Sequence, residues 1–321
     1  MFKPAKTLAN HTASAIAIGI LTCASALAAS PAEQSMAHNK AMAQKVAFIP
    51  PAGMANSRAS LGNVARELPA GESVLVFSAP PRESEEDAIR TYQPIAEYLS
   101  HVIGKTVVYK HPPDWLTYQT EMQRGHYDIV FDESHFNSWR ISNLQHNTLV
   151  KLADENAFVV VVRKDDKITD IKQLVGQKLC GMNPPNLGTL AVLGQFDNPM
   201  RQPYLMHTED WSKAYESVAF EKKCAAAIVP IANFKKFPDS ASLTRVIYQT
   251  RPLPNQAFSA GPRISRNDQA RIASALVSPE AGSAMSHLMT ANGSDKGLAF
   301  ATKEEYAGYD AYLKDSWSYK R

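Results

Sequence analysis

Apolar runs and amphipathic stretches alternate along the chain from Ser73 to about residue 300. Val74-Leu75-Val76-Phe77 is a continuous apolar run, as expected of a strand covered on both faces. Ile89, Tyr92, Ala96, Leu99 and Ile103 recur at steps of three or four, which predicts a helix ended by Gly104. Pro94 falls inside that span and predicts either a kink or a helix start there. A second strand is predicted at 106–109. Asp114 is placed to cap a helix running to Arg124 and stopped by Gly125, and 127–131 is a third strand. This rhythm predicts a parallel sheet covered by helices.

Phe158-Val159-Val160-Val161-Val162 opens a second set of the same kind. Strands are predicted around Leu179, at 204–206 and at 225–229, with helices or turns around Val192, at 211–220 and at 231–237. After Pro252 and Pro254, 257–262 reads as a returning strand, followed by helices at 268–277 and from Pro279 to Ala291. The expected fold class is therefore α/β, with two lobes joined by crossover strands at 159–163 and 251–255. Lobe 1 would comprise 73–158 and 255–321, and lobe 2 would comprise 159–254. In open sheets of this type ligands sit beyond the C-terminal strand ends, so two facing lobes place a cleft at their seam.

Residues 1–28 have the layout of a cleavable signal peptide: Lys3 and Lys6, an apolar stretch from Ala13 to Leu21, then Ala26-Leu27-Ala28. Without those two lysines the net charge falls from +3 to +1, which excludes a protein built to grip nucleic acid. The apolar stretch is shorter than the ~20 residues of a membrane span, so a soluble periplasmic protein is expected. A lipid anchor at Cys23 is the alternative, although Thr22 rather than a small Gly, Ala or Ser precedes it. Residues 29–72 read as a linker or weakly ordered arm. Cys180 and Cys224 read either as a disulfide or as two buried thiols.

Several stretches together resemble a known family. These are Tyr92-Gln93-Pro94-Ile95-Ala96-Glu97-Tyr98-Leu99 followed by Gly104-Lys105, Pro113-Asp114-Trp115 through Gly125-His126-Tyr127-Asp128-Ile129-Val130, and Asp170-Ile171-Lys172-Gln173-Leu174-Val175-Gly176-Gln177-Lys178. They are similar to the phosphate/phosphite/phosphonate-type (PhnD-like) periplasmic substrate-binding proteins. The resemblance implies a type II periplasmic binding fold and delivery of a small ligand to an ABC permease in the inner membrane. It also implies that Trp115 and His207 match ligand-site residues.

Elsewhere the pattern departs from the family. Its Ser-Thr-Ser-Gly turn is replaced by Pro185-Asn186-Leu187-Gly188, its acidic residue by Ala225, and its Tyr-Gly after the third strand by Asp132-Glu133. Two unpaired carboxylates there would each repel a phosphonate by ~1 kcal/mol or more, so an altered ligand is expected.

The candidate ligand residues are Ser78, Trp115, Asp132, Glu133 and His135 on one wall and Asn183, Asn186, Thr189 and His207 on the other. Tyr92 and Tyr118 are further aromatic candidates. Asp132, Glu133 and His135 suit a cationic, amine-bearing or polyol ligand, or a divalent metal. Asp132 or Ser134 could equally cap the following helix. No nucleophile elbow, P-loop or His-Glu-x-x-His motif is present, so catalysis is not expected. Nor is a cofactor expected, and the protein is expected to be a monomer. Two further readings are a ligand-sensing partner of a membrane histidine kinase and a carrier of an apolar cargo.

Overall fold

The computed structural model describes residues 74–154 and 156–314. The leader, Cys23 and the arm lie outside the described residues.

Strand β1 (Leu75–Ser78) leads into helix α1 (Glu85–Ile103). Ser84 caps α1 by accepting the Asp87 N–H, and Glu85, Glu86 and Asp87 place negative charge at its positive end. Gly104, at φ +67°, supplies the left-handed turn that ends it. Pro94 neither starts nor breaks the helix, which runs through it for nineteen residues. The buried stripe is Ala88, Tyr92, Ile95, Ala96, Leu99 and Ile103. Ile89, expected in that stripe, is 41% exposed because the packing register begins one residue earlier. Ile95 and Leu99 each contribute roughly 1.5–3 kcal/mol by burial.

Strand β2 (Val107–Tyr109), helix α2 (Trp115–Gln123), strand β3 (Ile129–Asp132), helix α3 (Ser134–Leu144) and strand β4 (Asn147–Leu152) follow. Strands β1, β2 and β3 are parallel. The first sheet as a whole is mixed, because the returning strand β10 (Ala257–Ala260) inserts antiparallel between β3 and β4. Strand β11 (Leu298–Phe300) adds an antiparallel edge beyond β4. Helices α8 (Arg266–Leu276) and α9 (Gly282–Asn292) precede β11, and the short helix α10 (Lys303–Tyr306) follows it.

The second sheet has the order β7-β6-β8-β5-β9. Its strands are β5 (Phe158–Arg163), β6 (Lys178–Gly181), β7 (Tyr204–His207), β8 (Ala226–Pro230) and β9 (Thr244–Gln249). Helix α4 (Leu187–Leu193) follows β6, α5 (Trp211–Ala219) follows β7, and α6 (Ile231–Lys236) and α7 (Ser240–Leu243) follow β8. The apolar run in β5 has a direct cause: Phe158, Val160 and Val162 join the core on one face, Val159 and Val161 the core on the other. For the same reason 159–163 is not a crossing strand. It lies inside the second sheet between β8 and β9. The chain instead crosses between sheets at 153–157 and again at 250–256, where Asn156 and Leu253 form an antiparallel bridge.

Cys180 of β6 is disulfide-bonded to Cys224, just before β8. Among the described residues no helix is long and apolar enough to cross a membrane.

Candidate ligand site at the seam of the two sheets

Parallel strands bring their C-terminal ends to one edge, so the loop after β1 and the β3–α3 junction become neighbours. Asp132 ends β3 with its carboxylate fully buried. Four donors converge on it. Arg82 Nη2 (2.9 Å) and the Glu133 N–H (2.8 Å) reach Oδ1, while Arg140 Nη1 (3.1 Å) and the Tyr118 hydroxyl reach Oδ2. Arg140 is itself buried. Its other nitrogen donates to Asn137 Oδ1 at 2.9 Å, and the Asn137 amide returns to the Asp132 carbonyl at 2.6 Å. Burial works against the Arg140 charge, but Tyr118 and Asp132 more than offset it and hold its pKa above the ordinary value. Asp132 therefore holds the lobe together and is closed to solvent. It caps no helix: Glu133 is the N-cap of α3 and makes no side-chain cap bond.

Glu133 and His135 reach across the seam. Glu133 Oε2 accepts the Leu187 N–H at 3.1 Å, and its Oε1 lies 3.7 Å from Arg82 Nη2. His135 Nε2 is 2.8 Å from the Pro185 carbonyl, and since a carbonyl only accepts, Nε2 carries the proton. His135 Nδ1 has no hydrogen-bond partner among the described residues and lies 3.7 Å from Glu133 Oε2. Burial pushes the His135 imidazole below its ordinary pKa; Glu133 and Asp132 pull it up, and Arg82 pushes it down.

A group whose native pKa is depressed in this way is neutral when folded and takes up a proton on unfolding. Its stability contribution is present above about pH 6.5 and lost as pH falls below it, by about 1.4 kcal/mol per unit. His146, pushed down to about 3 by burial with the Arg140 charge adding, acts in the same direction. Thermal unfolding between pH 7.5 and 5 should show stability falling below pH 6.5. The slope should become shallower in His135→Gln; an unchanged slope would mean that His135 takes up no proton on unfolding.

Trp115 opens α2 behind the cap Asp114, stacks on Phe136 (6.1 Å) and lies 6.0 Å beneath the Arg82 guanidinium. It borders an open cavity of about 440 Å³ with Glu83, Glu85, His111 and Asp114. The Ser78 hydroxyl donates to the Lys110 carbonyl. On the facing wall Asn186 caps α4 by accepting the Thr189 N–H. The buried Thr189 hydroxyl is engaged by the Met182 carbonyl at 2.5 Å. Asn183 is exposed and accepts the Asn186 N–H through its backbone carbonyl. His207 is exposed on the edge strand β7 and does not join the group. Tyr92 lies in the first core.

Gly188 sits where a Cβ would fall 2.3 Å from the Phe158 ring. Gly188→Ala should cost about 1–3 kcal/mol through overpacking, read as a lowered melting temperature. An unchanged value would mean that Phe158 can yield.

Sequence reasoning missed Arg82 and Arg140, which neutralise Asp132 and Glu133. It also missed a cavity of about 320 Å³ beside Glu133. Asp154, Asn156 and Asn255 line this cavity from the crossings, Trp211, Asn233 and Lys236 from the second sheet's helices, and residues 290–294 from the end of α9. Its walls carry carboxylates, amides and an ammonium, the opposite of what an apolar cargo requires. Asp132, Glu133 and His135 do not form a metal cage, since arginines already occupy the carboxylates and no metal-binding cluster exists among the described residues.

Two mixed α/β sheets, joined by two crossings with a polar cavity at the seam, define a type II periplasmic binding protein. Residues 77–306 match the model of the ABC transporter phosphonate periplasmic substrate-binding protein family, and the chain belongs to that family.

Solved structures agree in fold. XAC2383 from Xanthomonas citri, bound to ATP, is 14% identical with a TM-score of 0.61, over 77% of this chain and all of that one. PhnD1 from Prochlorococcus marinus, in complex with methylphosphonate, is 14% identical with a TM-score of 0.56, over 75% of this chain and 97% of that one. A binding-protein component of an ABC phosphonate transporter from Pseudomonas aeruginosa is 13% identical with a TM-score of 0.53, over 73% and 83%.

Proposed function

We propose that this chain is an exported, monomeric and non-catalytic receptor that delivers a small solute to an inner-membrane ABC permease. The leader at 1–28 would send it to the periplasm. The solute would lie in the cavity of about 320 Å³ at the seam, and closure of lobe 1 (73–158 and 255–321) on lobe 2 (159–254) would trap it. The polar lining of this cavity is the observation that carries the reading.

The ligand class follows from the donors and acceptors on offer. Glu133 and Asp154 supply carboxylates, Asn156, Asn233 and Asn255 supply amides, and the Lys236 ammonium is already turned to the Gly293 carbonyl at 3.4 Å. The groups that would cradle an oxyanion in the facing turn are already engaged: the Leu187 N–H by Glu133 and the Thr189 hydroxyl by Met182. A solute rich in N–H or O–H donors, an amine or a polyol, fits better than a bare phosphonate. Of the residues expected from sequence, Glu133 is the one that lines the cavity, and His135 supports it from the seam.

Calorimetric titration with a panel of small amines, polyols and methylphosphonate tests this. Binding by an amine or polyol is expected, weakened about tenfold or more by Asp154→Asn for amines and by Asn233→Ala for polyols, each equivalent to about 1.4 kcal/mol. Tight binding of methylphosphonate alone, indifferent to both substitutions, would overturn the ligand class.

A further inference from the structure

The last described segment lies across the seam. After α10, Gly308 (φ +84°) turns the chain into a single 3₁₀ helix at Tyr309–Leu313. Its contacts divide between the lobes. The Leu313 side chain is fully buried in the aromatic cluster of the first sheet with Tyr118, Phe136 and Trp139. Asp310 accepts the Ser138 hydroxyl of α3 at 3.0 Å. Tyr309 and Tyr312 instead pack on the second sheet's core, which contains Phe158, Leu187 and Val192. Just upstream the buried Tyr306 donates its hydroxyl to the Asn255 carbonyl at 2.6 Å, fixing the segment's root to the second crossing. Leu190 of α4 packs against the same aromatic cluster, so the segment runs alongside a direct apolar contact between lobes.

We propose that Tyr309–Leu313 is a strap that sets the balance between open and closed lobes. Any hinge opening must part the strap from one side. On the first lobe it is held by a buried leucine and a hydroxyl–carboxylate bond, and its root is tied to the second crossing by Tyr306. On the second lobe it is held by two partly buried rings. Its grip adds to the cross-lobe bonds of Glu133 and His135 and shifts the population toward the closed form. None of residues 309–313 lines the polar cavity, so the strap tunes closure without touching the solute.

The test reads lobe separation directly and needs no ligand. Spin labels at Glu97→Cys on α1 and at Met200→Cys in the second lobe, both exposed positions, report an interlobe distance by double electron–electron resonance. The mature chain with its strap intact should give one dominant short distance. Tyr309→Ala/Tyr312→Ala should raise a longer-distance population above about 10%. Gly308→Val should act in the same direction. It strains the φ +84° turn, while its side chain meets no neighbour within 4 Å at Cβ, so neither lobe's packing is disturbed. Distance distributions identical to the parent in both folded variants would overturn the strap. A change in the tyrosine variant alone would assign the effect to lost core packing and overturn it as well.

Discussion

Asp132→Ala should lower stability by about 3–5 kcal/mol. The substitution removes four accepted hydrogen bonds at once and leaves Arg140, fully buried, facing Arg82 without an intervening charge. For a chain of this size the melting temperature should fall by about 6–10 °C. The cost comes from the uncompensated guanidinium rather than from intrinsic strength of the pair, so the double variant Asp132→Ala/Arg140→Met should recover part of the loss. A fall of only a degree or two in Asp132→Ala, followed by calorimetry, would mean that water reaches the network and that Asp132 is an exposed ligand group after all.

Opening the Cys180–Cys224 bond should be nearly as costly. It closes a loop with a sequence separation of 44 residues, and the chain-entropy relation gives about 4 kcal/mol for a loop of that length. The loop contains α4, β7 and α5, so the loss should fall on the second lobe. Calorimetry with and without reductant should show a melting temperature lower by about 10 °C on reduction, matched by Cys180→Ser/Cys224→Ser. Equal melting temperatures in the two states would show that the loop is already ordered by packing alone. The bond also fits the oxidising periplasm in which proteins of this family work.

The architecture was legible in the sequence where burial imposes a pattern. The five-residue apolar run of β5, the cap–stop pair Asp114 and Gly125, and the Gly104 ending of α1 are each local signals with a local cause. Strands β4, β9 and β11 left no such mark: Thr244-Arg245-Val246-Ile247-Tyr248-Gln249 is a half-polar edge, recognisable only once its neighbour β5 is known. The charge balance of the site was hidden for a related reason. Asp132 and Glu133 stood out as a pair at a strand end, but Arg82 lies in a loop fifty residues earlier and Arg140 two helical turns later, and only the fold brings both to the same carboxylate. The expected repulsion of a phosphonate by bare carboxylates therefore gives way to a different argument. The carboxylates are neutralised, and the facing turn's donors are spent within the protein.

The cavity was the least visible feature. Asp154, Asn156 and Asn255 belong to the two crossings, which are far apart in sequence and are brought together by the Asn156–Leu253 bridge and by the Asn255 and Asn156 amides donating to the Asp154 and Pro254 carbonyls.

The most direct measurement is mass spectrometry of the protein purified from its native periplasm under non-denaturing conditions. The account requires one small polar molecule per chain, carried by the parent protein and lost from Asp154→Asn/Asn233→Ala while both remain folded. Finding no small molecule under any growth condition, or one retained at full occupancy by the doubly substituted protein, would contradict it.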